Sequence, residues 1–297
     1  MWEILLTIAG VYLSPEGVVL GADSTSSVSS SQGFHFFNHN QKLFEIGEDG
    51  TLALLTWGMG GLTSISYRTL LATFSDELEK FNVKTVEEVM QKWIAKFWPL
   101  YSGDQSVLRL NELESKSAFG QSPNTYGSRT EDEDKEFDAL QKNLPVGFCI
   151  AGYLPDNRTP EAHHVLFEPN KPQPVHQTMP QHNLQWFGIP NFFSRLLFGT
   201  DDQMLNLIEG SGKWNGTRSE LQALALSNAI VPNGTLPIRD AVDYVHTCIY
   251  CTIKAIKFSG IPQVCGGPIE IAVITTDRNF RWVRHKTWDA AIKDGGL

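Results

Sequence analysis

Two short apolar runs open the chain and leave few folds open to it. Thr7-Ile8-Ala9-Gly10-Val11-Tyr12-Leu13 and Val18-Val19-Leu20-Gly21-Ala22-Asp23-Ser24 are joined by Ser14-Pro15-Glu16-Gly17. Pro and Gly in so short a link mark a turn, so the runs pair as an antiparallel hairpin. Neither run alternates apolar with polar, so neither face of the hairpin can be left to water. The sheet that holds it must be covered on both sides. A Ser-rich stretch follows and reads as a loop. Two more runs come next, Asn40-Gln41-Lys42-Leu43-Phe44-Glu45-Ile46 and Thr51-Leu52-Ala53-Leu54-Leu55-Thr56-Trp57-Gly58, parted by the turn Glu48-Asp49-Gly50.

Polar side chains stand at the ends of these runs. Thr7 begins the first, Asp23 ends the second and Lys42 opens the third. In a hairpin the start of one strand faces the end of the next, which makes Thr7 and Asp23 cross-strand neighbours. A hydroxyl, a carboxylate and an ammonium at one sheet end have the makings of an activated nucleophile. The same residues also fit a plainer reading, a β-branched strand residue beside a structural Asp–Lys pair.

After Gly61 the apolar spacing becomes helical, through Leu62, Ile65, Leu70, Leu71, Phe74, Leu78 and Phe81. Thr85 with Glu88 is a capping-box start for a second helix, which Pro99 is expected to end. Leu108, Leu110 and Leu113 suggest a short helix. Ser115 to Lys135 is polar and reads as a surface insertion, partly mobile. Its acidic run Glu131-Asp132-Glu133-Asp134 reads as a solvated face rather than a metal site. Strand pattern returns in Val146 to Tyr153, His163 to Pro169 and Leu184 to Pro190. His163 and His164 point to opposite faces of a strand, so one metal cannot take both. Helical patterns then run from Asn191 towards Ile208, from Arg218 or Ser219 to Ile230, and from Pro237 to a stop at Ser259-Gly260-Ile261-Pro262. Pro268 to Thr275 and Arg281 to Val283 close the chain as strands.

A net charge of −9 argues against a nucleic-acid partner, which needs a concentrated positive surface. No uncharged apolar run reaches the ~18 residues of a spanning helix, so no membrane partner is expected. Met1 to Leu6 mimics a secretory core but carries Glu3 and no basic start, so the chain is read as cytoplasmic. Cys149, Cys248, Cys251 and Cys265 are too scattered for a disulfide framework. Cys248-Ile249-Tyr250-Cys251 falls in mid-helix, where packing is favoured over redox chemistry. The three Asn-x-Thr sequons, at Asn157, Asn215 and Asn233, read as turns. No cofactor and no metal is expected.

Several segments together carry a family resemblance. Gly21-Ala22-Asp23-Ser24, Lys42-Leu43-Phe44-Glu45-Ile46 and the turn Gly58-Met59-Gly60-Gly61 are one part of it. A helix ending Ala255-Ile256-Lys257, a Gly266-Gly267 turn and the strand Ile269-Glu270-Ile271-Ala272-Val273-Ile274 are the other. In these the chain resembles the β-type subunits of the 20S proteasome and their bacterial relatives, the N-terminal nucleophile (Ntn) hydrolases. The resemblance implies an α+β fold, a four-layer αββα sandwich of two antiparallel sheets. It implies one domain over residues 1–297, with insertions at about 101–144 and 211–235.

For activity the resemblance implies a threonine-type peptide or amide hydrolase armed by self-cleavage between Leu6 and Thr7. Thr7 would be the nucleophile, with its freed α-amine as base. Lys42 would stabilise negative charge on Oγ, Asp23 would hold Lys42, and Gly58 would offer an oxyanion amide. Where many members of that family carry Gly before the nucleophile, this chain has Leu6. Asn191 and Ser259 stand nearest the family's supporting positions, and Cys265 beside Gly266 is a further candidate. The implied partners are a peptide or amide substrate and further copies of the chain in a homo-oligomer. The competing reading is an unprocessed, catalytically inactive subunit of the same kind, serving as a scaffold or binding module.

Overall fold

The computed structural model describes residues 7–30, 33–230, 235–260 and 263–286. Met1 to Leu6, and so the expected cleavage position after Leu6, lies outside the described residues. So do Asn233-Gly234 of one sequon and Ile261-Pro262 of the expected helix stop.

The opening hairpin forms as β1 (Ile8–Ser14) and β2 (Gly17–Ala22), and every residue in both strands is buried. The Ser-rich stretch is not a loop. It holds β3 (Ser26–Ser30) and β4 (Gly33–Phe37), which pair with each other as a separate two-stranded sheet. A ladder is made of backbone bonds, so pairing there needs no apolar pattern for a reader to find. Next come β5 (Leu43–Ile46) and β6 (Leu52–Gly58).

The helix α1 (Tyr67–Leu78) is capped by Ser66, and α2 (Val86–Ser102) by Thr85, whose hydroxyl accepts from Glu88 N. Pro99 does not end α2, because it costs one hydrogen bond only a turn before the Gly103 cap. The packing of Phe97 and Tyr101 on Phe167 holds that last turn in place. A third helix, α3 (Gln105–Ser115), starts at the Asp104 cap. The expected polar loop gives way after Thr130 to α4 (Glu131–Asn143), whose acidic run is its first turn. A capping box between Thr130 and Glu133 starts it, and four acidic residues suit the positive end of a helix. Arg109 and Lys116 of the preceding segment bind Glu136 and Glu133 at 2.8 and 2.7 Å.

Strands β7 (Val146–Gly152), β8 (Glu161–Phe167), β9 (Gln177–Thr178) and β10 (Asn183–Gly188) follow. The helical stretch after Asn191 is broken in two, α5 (Asn191–Phe198) and α6 (Asp202–Gly210), because Gly199 turns left-handed at φ 71° and Asp201 caps a new start. Then come α7 (Arg218–Leu226), α8 (Ile238–Lys257), β11 (Glu270–Thr275) and β12 (Arg278–Arg284).

The fold is mixed α+β with two five-stranded antiparallel sheets. One has the order β10-β1-β2-β11-β12, the other β5-β6-β7-β8-β9. Three apolar clusters divide the core. The first packs α1, α2 and α3 on the second sheet, with Trp93, Phe97 and Phe148 at its centre. The second joins the sheets, with Val11, Leu13 and Leu20 facing Leu55, Trp57 and Cys149. Trp57 stacks on Phe187 across that gap at 3.9 Å between ring centres. The third seats α8 on the first sheet through Val245, Ile249 and Ile253. This layering is compatible with a sandwich, and it meets the demand of the opening runs that both faces of their sheet be covered. Among the described residues no helix is long and apolar enough to cross a membrane.

Candidate active site

The hairpin register sets Asp23 opposite Ile8, one residue from Thr7. Asp23 N donates to Ile8 O at 3.1 Å, and Ile8 N donates back to Asp23 Oδ1 at 3.1 Å. The Asp23 carboxylate is completely buried and takes three further donors. Lys42 Nζ approaches Oδ1 at 2.7 Å, Thr25 N approaches Oδ2 at 3.1 Å, and Gly266 N approaches Oδ2 at 2.9 Å. One carboxylate thus gathers β1, the segment after β2, the residue before β5 and the turn before β11. Asp23 extends the first sheet and Lys42 leads into the second, so their ion pair ties the two sheets at one rim.

Thr7 is buried, with its carbonyl accepting from Ile189 N at 2.9 Å. Gly188, at φ +85°, lies so close that a Cβ there would collide with Thr7 O. The end of β10 therefore clamps Thr7 at the mouth of the hairpin. Lys42 is 4% exposed, and its carbonyl accepts from Thr56 N at 2.9 Å, which fixes it to β6. At the end of β6, Gly58 turns to φ +86°, and a Cβ would drive into Pro145 O. Only glycine makes that turn without strain.

A cavity of about 360 Å³ collects these residues. Thr7, Lys42 and Gly58 all line it, together with Thr25, Ser26, Asn40, Thr56 and Gly60. Its far wall is the 101–144 segment, through Ser106 of α3 and Glu136, Leu140 and Asn143 of α4. Asp104 docks that wall, accepting from Thr63 N at 2.7 Å and Thr63 Oγ1 at 3.1 Å. Glu136 enters the cavity already bound to Arg109 through both oxygens, at 3.1 and 2.8 Å.

The secondary candidates fall elsewhere. Asn191 lines a different cavity, with Gly188, Ser194 and Asp201. Ser259 is exposed past the end of α8, its hydroxyl on Ile256 O at 2.8 Å. Cys265 is buried in the α8 cluster, outside the lining of the Thr7 cavity. Burial pushes its thiol well up, the Asp23 carboxylate adds to this, and Lys42 opposes it, so it stands beside the pair as a neutral thiol. Cys248 is also buried, its thiol pushed up to about 11 chiefly by burial, consistent with packing inside α8. His163 and His164 sit on a strand whose neighbours alternate between the helix-side and inter-sheet clusters.

Sequence reasoning missed a second buried ion pair beside the first. Glu270, completely buried at the start of β11, holds Lys286 Nζ at 3.0 Å. Lys286 also donates to Asn40 O at 2.9 Å and Ser24 Oγ at 3.3 Å, bracing the segment that presents Lys42. The signal was a lone Glu between Ile269 and Ile271, since a carboxylate in an apolar strand needs a partner. The wall from α4 was signalled by Thr130-x-x-Glu133, obscured by its acidic surroundings. Among the described residues no three His, Cys, Asp or Glu side chains gather as a metal group.

No protein-family model matches the sequence, and no curated protein matches it.

Proposed function

We propose that this protein is a threonine-type Ntn hydrolase of peptides or amides, a four-layer αββα relative of the proteasome β subunits. The observation that carries the reading is one cavity lined by Thr7, Lys42 and Gly58, with Lys42 held at 2.7 Å by a buried Asp23.

Cleavage of the Leu6–Thr7 bond frees the Thr7 amine. An α-amine with pKa about 8 can take a hydroxyl proton near neutrality. Thr7 Oγ then forms a bond to the substrate carbonyl carbon, and its proton passes to that amine. The carbonyl oxygen gains negative charge, which a backbone N–H at the Gly58 turn stabilises. Collapse breaks the amide C–N bond, and the proton goes out on the leaving amine. An ester on Thr7 is left, and water, activated by the same amine, hydrolyses it. Lys42 lowers the cost of charge on Oγ, and Asp23 holds Lys42 against the site.

The unprocessed scaffold is the second reading, favoured by Asn191 and Ser259 standing away from the cavity. Two measurements decide. Mass spectrometry of protein from its own host reads the first residue, and fluorogenic peptides read hydrolysis by wild type and Thr7→Ala. The expected result is a chain starting at Thr7 whose activity falls at least ~10³-fold in the variant. An intact Leu6–Thr7 bond in protein that hydrolyses peptides as well as its variant does would refute the reading.

A further inference from the structure

A second cavity, of about 410 Å³, adjoins the first, and Asn40, Gln41, Gly60 and Tyr67 line both. His39, Arg68, His285 and Lys286 line its remaining walls, with Phe44 and Ser66. Among the described residues that line it there is no carboxylate. On a chain of net charge −9 this is a local reversal of sign. The first turn of α1, which carries no acidic side chain, adds its positive end.

The cations here are not equivalent. Lys286 spends its three N–H donors on Glu270, Asn40 and Ser24. His285 Nδ1 lies 2.7 Å from the same Glu270. Lys286 supplies field while Glu270, fully buried, balances it from behind. Arg68 is exposed and forms no ion pair with a carboxylate among the described residues. Its Nη2 donates to Gln41 Oε1, which uses one of five guanidinium N–H groups. Burial lowers the pKa of Lys286, Glu270 opposes this, and Lys42 and Arg68 push it further down. Arg68 and Lys286 thus line the second cavity and Lys42 the first beside it, and both lysines are paired. An anion beside Arg68 offsets its positive charge, and a guanidinium matches a carboxylate through two parallel bonds.

We infer that the second cavity is a carboxylate subsite: an acidic side chain of a peptide lying in the first cavity crosses the shared wall and is held by Arg68. The inference rests on the proposal above that the first cavity takes a peptide, and it names a class of peptide.

The test reads binding rather than hydrolysis. Fluorescein-labelled alanine heptapeptides carrying one Glu, or one Gln at the same place, are titrated into the full-length wild-type chain at low salt. The substituted position is scanned, anisotropy is recorded, and mass spectrometry confirms that the peptides stay intact. Glutarate, titrated by calorimetry, reports on a free carboxylate. At one or two positions Glu should bind about tenfold tighter than Gln, and added salt should narrow the gap. Arg68→Gln should erase the preference and leave Gln-peptide binding unchanged, while Arg68→Lys should keep part of it. Arg68 is exposed, so neither substitution threatens the fold. Equal binding of Glu and Gln peptides, no peptide binding, or a Glu preference that survives Arg68→Gln would each overturn the inference. So would Arg68-dependent binding of glutarate without any Glu preference, which would make the ligand a free small acid. A chain that prefers Glu peptides through Arg68 yet hydrolyses nothing would refute the hydrolase and uphold the subsite.

Discussion

Asp23→Asn is the substitution that probes most of this molecule at once. It keeps the side chain's shape and turns one oxygen into an NH2. Whichever way the amide lies, that NH2 meets donors. On one side stand Ile8 N–H and Lys42 Nζ, on the other the N–H groups of Thr25 and Gly266. A buried donor left without its acceptor costs about 1–3 kcal/mol. Lys42, 4% exposed, also loses its counter-charge, and breaking a buried pair from one side costs about 3–5 kcal/mol. These contributions overlap, because Lys42 is one of the donors, so the expected loss is about 4–6 kcal/mol rather than the full sum. That is a large part of the ~5–15 kcal/mol that holds a typical domain. Lys42→Met should cost less, about 3 kcal/mol, because the carboxylate keeps three backbone donors. The double variant removes both charges and should be less destabilised than the two singles together by about 1–3 kcal/mol. Urea unfolding followed by tryptophan fluorescence reads all three, at constant m, with eight tryptophans as reporters. A loss below about 1 kcal/mol for Asp23→Asn, or strict additivity in the double variant, would refute the account of Asp23 as the joint of the fold.

Two further outcomes follow from the same geometry. Burial holds the pKa values of His163 and His164 below the ordinary value, Glu161 opposing this at His163 and His176 adding to it at both. The unfolded chain therefore takes their protons first, so stability is full above about pH 6.5 and falls as pH drops through the lower folded values. Urea midpoints between pH 7.5 and 5 should show that decline, and His163→Gln, which cannot titrate, should flatten it. Gly188→Ala puts a Cβ against Thr7 O at a positive φ, and should cost about 1–3 kcal/mol. It should also displace Thr7 enough to abolish hydrolysis; an active, fully stable Gly188→Ala protein would contradict the clamp drawn above.

The parts of the fold that burial dictates were legible in the sequence. The runs around Val11 and Leu20 had to be covered on both faces, and they are. Thr85 and Glu88 gave the start of α2, and the mid-helix cysteines gave the packing of α8. What escaped was structure held by backbone or by charge. The β3 half of the β3–β4 hairpin is Ser-rich, with Val28 its one apolar residue, and so reads as a loop. The helix α4 fully buries no residue; a capping box and ion pairs with Arg109 and Lys116 hold it, with only Phe137 and Leu140 packed partly buried on the core. Gly199 splits α5 from α6 through one left-handed residue inside an otherwise helical pattern. At the candidate site, the nearness of Thr7, Asp23 and Lys42 was legible because each stands at a strand end, and Gly58, taken from the resemblance in preference to Gly60, lines the same cavity as Thr7 and Lys42. Asn191, Ser259 and Cys265 were chosen by nearness in sequence to a resemblance, and nearness in sequence did not bring them to the cavity.

The same carboxylate serves the fold and the candidate site, and this decides which experiments discriminate between the two functional readings. Asp23 gathers four chain segments whether or not Thr7 is ever freed, since its donors at Ile8, Thr25, Gly266 and Lys42 are all present in the uncut chain. A scaffold would keep Asp23 and Lys42 as firmly as an enzyme would. Loss of activity in an Asp23 or Lys42 variant therefore carries little weight by itself, because collapse of the rim produces the same result. Thr7 is different. Its backbone carbonyl accepts from Ile189 N, and Thr7→Ala leaves that bond in place. A variant that unfolds at the wild-type urea concentration and has lost its hydrolysis would assign the chemistry to the hydroxyl alone. If it matches wild type in both respects, the rim is architecture and the scaffold reading stands.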